Sequence, residues 1–231
     1  MNKIIIVCGH YGCGKTNYAI NLAIEKSKEC DNVTLCDLDL VNPYFRSADY
    51  GDLLSRHGIK LIAPKYANTN VDIPVLPEEF QSIFNSDGIK IIDVGGDDAG
   101  AVALGRFKNQ LSEATVEVRY VINKFRNLIA EPIDAAENLK DIETAARIKA
   151  DVIINNSHLK QETNESHIME GIEYGKKVSE ITGLPVTEVT VPRRLVEKRK
   201  EETFEKKLEG MEKEMLTKLN PIEIYVKLLW E

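Results

Sequence analysis

Apolar residues in this chain follow two rhythms that alternate along its length. Short, nearly unbroken apolar runs, such as Ile4–Cys8, Ile89–Val94 and Val152–Ile154, are separated by longer stretches in which apolar positions recur every three or four residues. The first rhythm predicts strands covered on both faces, and the second predicts amphipathic helices. Strands are thus expected at 3–8, 33–37, 59–63, 90–94, 116–123, 151–155 and 186–191. Helices are expected at 15–28, where Tyr18, Leu22 and Ala23 share a stripe, and at 44–56, 78–84, 133–149 and 168–182. Gly58 and Gly183 stand where two of these helices should stop. Alternating strands and helices predict an α/β fold of three layers, a mostly parallel sheet with helices on both faces. Ligands of such sheets bind beyond the carboxyl ends of the strands. The glycine turn after Cys8, together with Asp37, Asp93 and Asn155, falls at those ends, so one shared crevice is expected.

The turn between the first strand and the first helix reads Gly9-His10-Tyr11-Gly12-Cys13-Gly14-Lys15-Thr16, which fits G-x-x-x-x-G-K-[ST]. A loop of this kind wraps phosphates with successive backbone N–H groups, aided by the positive end of the helix dipole. Gly9, Tyr11, Gly12, Cys13, Gly14, Lys15, Thr16 and Asn17 are the candidate nucleotide-binding residues here. Lys15 would reach the β- and γ-phosphates, and the Thr16 hydroxyl would ligate Mg²⁺. Carboxylates are also needed, to hold the metal and orient an attacking water. Two sites offer them: Asp37-Leu38-Asp39, and Asp93 in Ile91-Ile92-Asp93-Val94-Gly95-Gly96. Asp93 would act on Mg²⁺ through water, and the Gly96 amide could bond the γ-phosphate. An Asp at a strand end also serves as a helix cap, but two such sites follow the loop in the order that nucleotide chemistry requires.

With these motifs in order, the chain resembles the MinD/ParA group of P-loop ATPases, which includes the nucleotide domains of dethiobiotin synthetase and cobyrinic acid a,c-diamide synthase. The resemblance runs from Lys3 to about Arg194. It implies a P-loop NTPase fold, catalytic roles for Lys15, Asp37 and Asp39, and a metal site of Thr16, Asp37 and Asp93. Within that set, Asp37 would help activate water, Asp39 would lie in the first switch, and Asp93 would be the Walker B carboxylate. The resemblance also implies an adenine pocket built from Asn155 and from the loop containing Pro192 and Arg193. Asn123-Lys124-Phe125-Arg126 departs from the guanine motif N-K-x-D by placing an arginine where a carboxylate should accept the guanine protons. ATP with Mg²⁺ is therefore the expected ligand pair. The family's signature lysine is absent, since His10 takes its place and Tyr11 follows where the family has glycine. Arg46 and Arg106 are candidate substitutes, and both could equally serve in surface ion pairs. The implied activity is a nucleotide-dependent switch, an ATP hydrolase acting through a homodimer or a protein or metabolite partner. Alternatives are an ATP-dependent small-molecule ligase or kinase like dethiobiotin synthetase, and a metallocentre-assembly NTPase.

Composition narrows the partners. At 231 residues, the chain is expected to form a single nucleotide-binding domain with a C-terminal helical extension from about 193 to 231. A net charge of −7 argues against nucleic-acid binding by the general surface. No apolar run approaches a membrane span, and Lys3 leads straight into a strand, so a cytoplasmic protein is expected. Cys8, Cys13, Cys30 and Cys36 form no C-x-x-C pair, and buried thiols are expected of Cys8 and Cys36. In the tail, Phe204, Leu208, Met211, Met215 and Leu219 suggest one helical stripe. Its flanking glutamates favour packing on protein over a membrane surface. The stretch 65–77 has no regular period and is expected to be a substrate or partner loop. His57, His158 and His167 lack metal-ligand spacing and are expected to be ordinary surface or core residues.

Overall fold

The computed structural model describes residues 2–39, 50–63, 79–96, 98–197 and 217–226. Eight strands form one sheet: β1 (Asn2–Cys8), β2 (Val33–Leu38), β3 (Lys60–Ile62), β4 (Gly88–Val94), β5 (Thr115–Ile122), β6 (Val152–Asn155), β7 (Val186–Pro192) and β8 (Lys218–Ile222). Their spatial order is β3-β2-β4-β1-β5-β6-β7-β8, and every neighbouring pair is parallel. The chain moves one way from β1 to β2 and β3 and the other way from β4 to β8. Right-handed crossovers then put α1 (Lys15–Ser27) and α2 (Gly51–Arg56) on one face. The opposite face carries α4 (Asp98–Gly105), α6 (Pro132–Ala146) and α7 (Glu165–Thr182), of which α6 packs on both of the others. Both faces of the central strands are covered, and Ile4, Ile5, Ile6 and Val7 are wholly buried.

Local chemistry sets the helix ends. Pro132 sits in the first turn of α6, where its fixed φ suits the helix and its missing N–H costs nothing. Asn164 and His167 form a capping box at the start of α7, and Gly183 ends that helix in the left-handed region at φ 75°. His167 thus has a structural role, and it also meets the Phe125 ring edge-on at 5.2 Å.

Three departures from the sequence reading have physical causes. The segment after Gly96, which has no readable period, contains α4 and then α5 (Lys108–Ser112). The α4 sequence DAGAVALG has no polar stripe to betray a helix: Ala101, Ala103 and Leu104 are buried, and the exposed position among them carries Val102. The short α3 (Glu79–Ser82) passes into a 3₁₀ turn at Ile83–Asn85. In the tail, α8 (Arg193–Glu197) is helical, but Leu219 lies in β8 and not on a helical stripe. The strand β8 extends the sheet past β7, pairing Val189 with Leu219 and Val191 with Pro221. Pro221 is tolerated in this way on an edge strand. The expected loop at 65–77, most of the expected tail helix and Arg46 lie outside the described residues. No helix among the described residues is long and apolar enough to cross a membrane.

A buried polar cluster fastens α1 to β5, β7 and β8. The Arg119 guanidinium donates to Glu188 Oε1 at 2.8 Å, to Glu117 Oε1 at 2.7 Å and to the Tyr18 hydroxyl. Tyr18 in turn donates to Glu188 Oε2 at 3.0 Å, and Asn220 of β8 donates to the same oxygen at 2.9 Å. These charges are mutually satisfied, as groups with so little access to water must be.

Candidate nucleotide site

The loop from Gly9 to Gly14 leaves β1 and turns directly into α1. Gly14 lies at φ 93°, and a Cβ there would sit 2.3 Å from Asn156 Nδ2, so both backbone angle and space demand glycine. Gly96 is constrained by proximity instead: a Cβ would fall 2.6 Å from Tyr11 N and 2.8 Å from Lys15 Nζ. The end of β4 therefore abuts the loop and its lysine. Lys15 Nζ, nearly buried, donates to His10 O at 3.1 Å, across the loop's own mouth.

The two acidic motifs meet beside this lysine. Asp37 and Asp93 are register partners on adjacent strands, and Val7 pairs with Asp93 from the other side. Both carboxylates are 2% exposed. Burial, and then the negative charge of Asp37, push Asp93 up to about 7, while Lys15 and a hydrogen bond from Thr16 pull the other way. Asp39 donates its N–H to Asp37 Oδ1 at 3.0 Å. Lys15, Thr16, Asp37, Asp39, Asp93 and Gly96 are thus brought together. Among the described residues, no group of three or more His, Cys, Asp or Glu side chains could hold a metal by itself. A hydroxyl beside two carboxylates nonetheless fits Mg²⁺, which takes one or two carboxylates and fills its shell with phosphate oxygens and waters.

A cavity of about 200 Å³ opens from the loop along α1. Its walls include Gly12, Gly14–Asn17 and Asp39, then Asn123, Arg126, His158 and Lys160, and finally Ile224 and Val226 of the tail. Several expected residues reach it differently from the sequence reading. Asn155 lies outside it: its amide donates to Gly171 O at 2.7 Å and accepts from Ser157 N–H at 3.2 Å, fixing α7 to β6. The neighbouring Asn156 touches the loop, donating to Cys13 O at 2.7 Å and accepting from Thr190 Oγ1 at 2.5 Å. Arg193 is bound to the tail through Glu223 at 2.8 Å and Pro221 O at 3.3 Å. Pro192 ends β7 beside Ile222 of β8. Of the two candidate substitute cations, Arg106 is exposed at the end of α4. A different cation lies at the loop: a Cβ on Gly12 would sit 3.4 Å from the guanidinium of Arg126. Its signal in the sequence was the departure from N-K-x-D.

His158, expected to be an ordinary surface or core residue, is buried and has a defined tautomer. Nδ1 accepts from Lys160 N–H at 3.2 Å, so Nε2 carries the proton toward Asn156 Oδ1 at 3.1 Å. Burial, with Arg126 and Lys160 nearby, pushes its pKa down to about 4. The unfolded chain binds a proton near 6.5 that the folded chain resists. Stability from this group is thus fully present above 6.5 and is lost as pH falls toward 4, by about 3 kcal/mol. Chemical denaturation of wild type and His158→Gln across pH 4–7 should show the variant losing less stability on acidification. The thiols of Cys8, Cys13 and Cys36, by contrast, are buried and free. Burial raises Cys8 and Cys36 each to about 12.

No protein-family model matches the chain, and no curated protein sequence matches it. Solved structures do share its fold. The cell division protein FtsY of Thermotoga maritima is 19% identical with a TM-score of 0.51, over 83% of this chain and 62% of that one. Chloroplast FtsY of Physcomitrella patens is 16% identical with a TM-score of 0.54, over 82% and 58%. The signal recognition particle 54 kDa protein of Aeropyrum pernix K1, solved in complex with GDP, is 19% identical with a TM-score of 0.51, over 79% and 40%. This chain spans less than two thirds of the length of each. At such identities the likeness is one of fold: the chain has the α/β P-loop NTPase fold. The finer MinD/ParA resemblance rests on the sequence motifs alone.

Proposed function

We propose that this protein is a Mg²⁺-dependent P-loop ATPase of MinD/ParA type that acts as a nucleotide-dependent switch. The observation carrying this reading is the convergence of Lys15, Thr16, Asp37 and Asp93 around the mouth of the glycine loop. Lys15 leaves the His10 carbonyl and bonds the β- and γ-phosphates, while the loop amides from Tyr11 to Thr16 hold their oxygens. Thr16, Asp37 and Asp93 would hold Mg²⁺, which would supply positive charge against that of the phosphates. The Asp37 carboxylate orients the attacking water, and the Gly96 amide bonds the γ-phosphate. That Gly96 contact would make the nucleotide state legible to a second copy of the chain or to another protein.

Adenine is favoured over guanine by Arg126. Its guanidinium has no acceptor for the guanine N1 and N2 protons, and it lines the same cavity as Asn123. GDP in the Aeropyrum pernix 54 kDa protein is the reason to test both bases. Calorimetric titration should give a smaller Kd for Mg-ATP than for Mg-GTP, with neither nucleotide bound well when Mg²⁺ is chelated. Equal or tighter GTP binding would refute the base assignment and leave the phosphate site standing. The basal ATPase rate should be low, because His10 offers no fixed positive charge where the family has lysine.

A further inference from the structure

The tail returns to the nucleotide site over a sequence separation of about two hundred residues, and its seating is specific. After β8, the segment Glu223–Val226 runs along the first turns of α1, where two side-chain amides hold its backbone. Asn17 Nδ2 donates to Glu223 O at 2.9 Å, and Asn17 Oδ1 accepts from Tyr225 N–H at 2.8 Å and Val226 N–H at 3.2 Å. One turn further on, Asn21 Nδ2 donates to Glu223 O at 2.9 Å and its Oδ1 accepts from Glu223 N–H at 2.8 Å. Glu223 is also paired with Arg193 at 2.8 Å. The amide of a residue in the loop motif's own helix turn is therefore spent on the tail.

This strap fixes which side chains face the cavity. Ile224 and Val226, two residues apart, line it; Val226 is also part of the buried core, and the intervening Tyr225 is half-buried against that core. Apart from Tyr11, the remaining side chains of the cavity wall are polar or charged. Lys15 and the loop amides define the phosphate end, and Ile224 and Val226 supply apolar surface elsewhere on the lining of the same cavity. A nucleobase has two flat apolar faces and a polar edge. Its faces need an apolar or guanidinium surface, and Arg126 lies in the same cavity.

We infer that Glu223–Val226 forms the base-side wall of the nucleotide site, with Ile224 and Val226 covering one face of the base and the Asn17 and Asn21 amides holding that wall in place. This rests on the reading above that the cavity binds a nucleotide. It makes the tail a determinant of nucleoside affinity and leaves phosphate binding to the loop.

The test compares two probes on the full chain: Mg²⁺-tripolyphosphate, and whichever of Mg-ATP and Mg-GTP the wild type binds more tightly. Ile224→Asp should weaken the nucleotide about 10- to 100-fold and leave tripolyphosphate affinity unchanged. Ile224→Ala should act in the same direction by several-fold. Asn21→Ala, which touches no part of the cavity, should also weaken only the nucleotide. Unchanged nucleotide affinity in these variants would overturn the inference, and so would a parallel loss of both probes. If wild type binds neither probe, the nucleotide reading itself fails, and the wall with it. Wild type that binds tripolyphosphate and the nucleotide equally well supports the phosphate cradle and contradicts the base wall.

Discussion

Asp93→Asn should raise the stability of the metal-free protein at pH 8 and at the same time remove most of its Mg²⁺-dependent nucleotide affinity. Asp93 faces Asp37 across adjacent strands, and both are buried. Burial and the Asp37 charge hold the Asp93 carboxyl up at about 7, against 3.8 for an ordinary aspartate. For such a group the stabilising contribution is complete below pH 3.8 and is lost as pH rises through 7. At pH 8 the folded protein carries an ionised carboxylate in a poorly solvated place, at a cost on the order of 2–4 kcal/mol. Asparagine keeps the shape and cannot ionise. Urea denaturation at pH 8 should therefore favour the variant by about that amount, and the gap should narrow toward pH 5. Titration with Mg-ATP should show the opposite ranking, with affinity at least about tenfold weaker in the variant. A variant less stable than wild type at pH 8 would show that Asp93 is not a strained metal ligand. Stability and function are thus expected to oppose each other at this position.

Arg119→Met should destabilise the fold by about 3–5 kcal/mol, because it leaves Glu188 charged beside a vacated guanidinium site, whereas Glu117 keeps its ion pair with Lys3 at 2.6 Å. Arg119 is 8% exposed and makes charged contacts with both Glu117 and Glu188. Glu188 also takes hydrogen bonds from Tyr18 on the loop's helix and Asn220 on β8. Loss of the guanidinium should therefore loosen the tail as well as the core. Removing the stranded charge in Arg119→Met/Glu188→Leu should recover much of the loss, since an apolar pair can replace a buried ion pair at little cost. Equilibrium denaturation of the single and double variants makes this check. Additive losses would contradict the coupling.

The sheet and the loop were legible because both are written locally. Nearly unbroken apolar runs mark β1, β4 and β6, and the loop spacing ties Gly9 to Thr16 within eight residues. Asp37 and Asp93 could be placed together because each stands at the carboxyl end of an expected strand. What could not be read depends on parity or on distance. At the end of β6, the pairing with β7 shifts register between Ile153 and Ile154. Asn155 turns into α7 and Asn156, one residue on, takes the loop contact. The strand β8 was hidden because Leu219 continues a helical spacing begun at Phe204, and because Pro221 argues against a strand. The meeting of Asn17 with Glu223, Tyr225 and Val226 joins opposite ends of the chain, and no local pattern announces it. Arg126 was visible only as a broken motif, and its position against Gly12 needed the fold.

The glycine loop and its lysine are the centre of the proposed chemistry, and Lys15→Ala addresses them directly. Its ammonium lies inside the loop, bonded to a carbonyl that a phosphate would replace, and such charge-assisted contacts strongly affect affinity. Calorimetric titration of wild type with Mg-ATP should give saturable binding at one site per chain, and Lys15→Ala, folded by circular dichroism, should bind at least about 100-fold more weakly. Wild type with no Mg-nucleotide binding, or a variant indistinguishable from it, would contradict the assignment of this loop as a phosphate cradle.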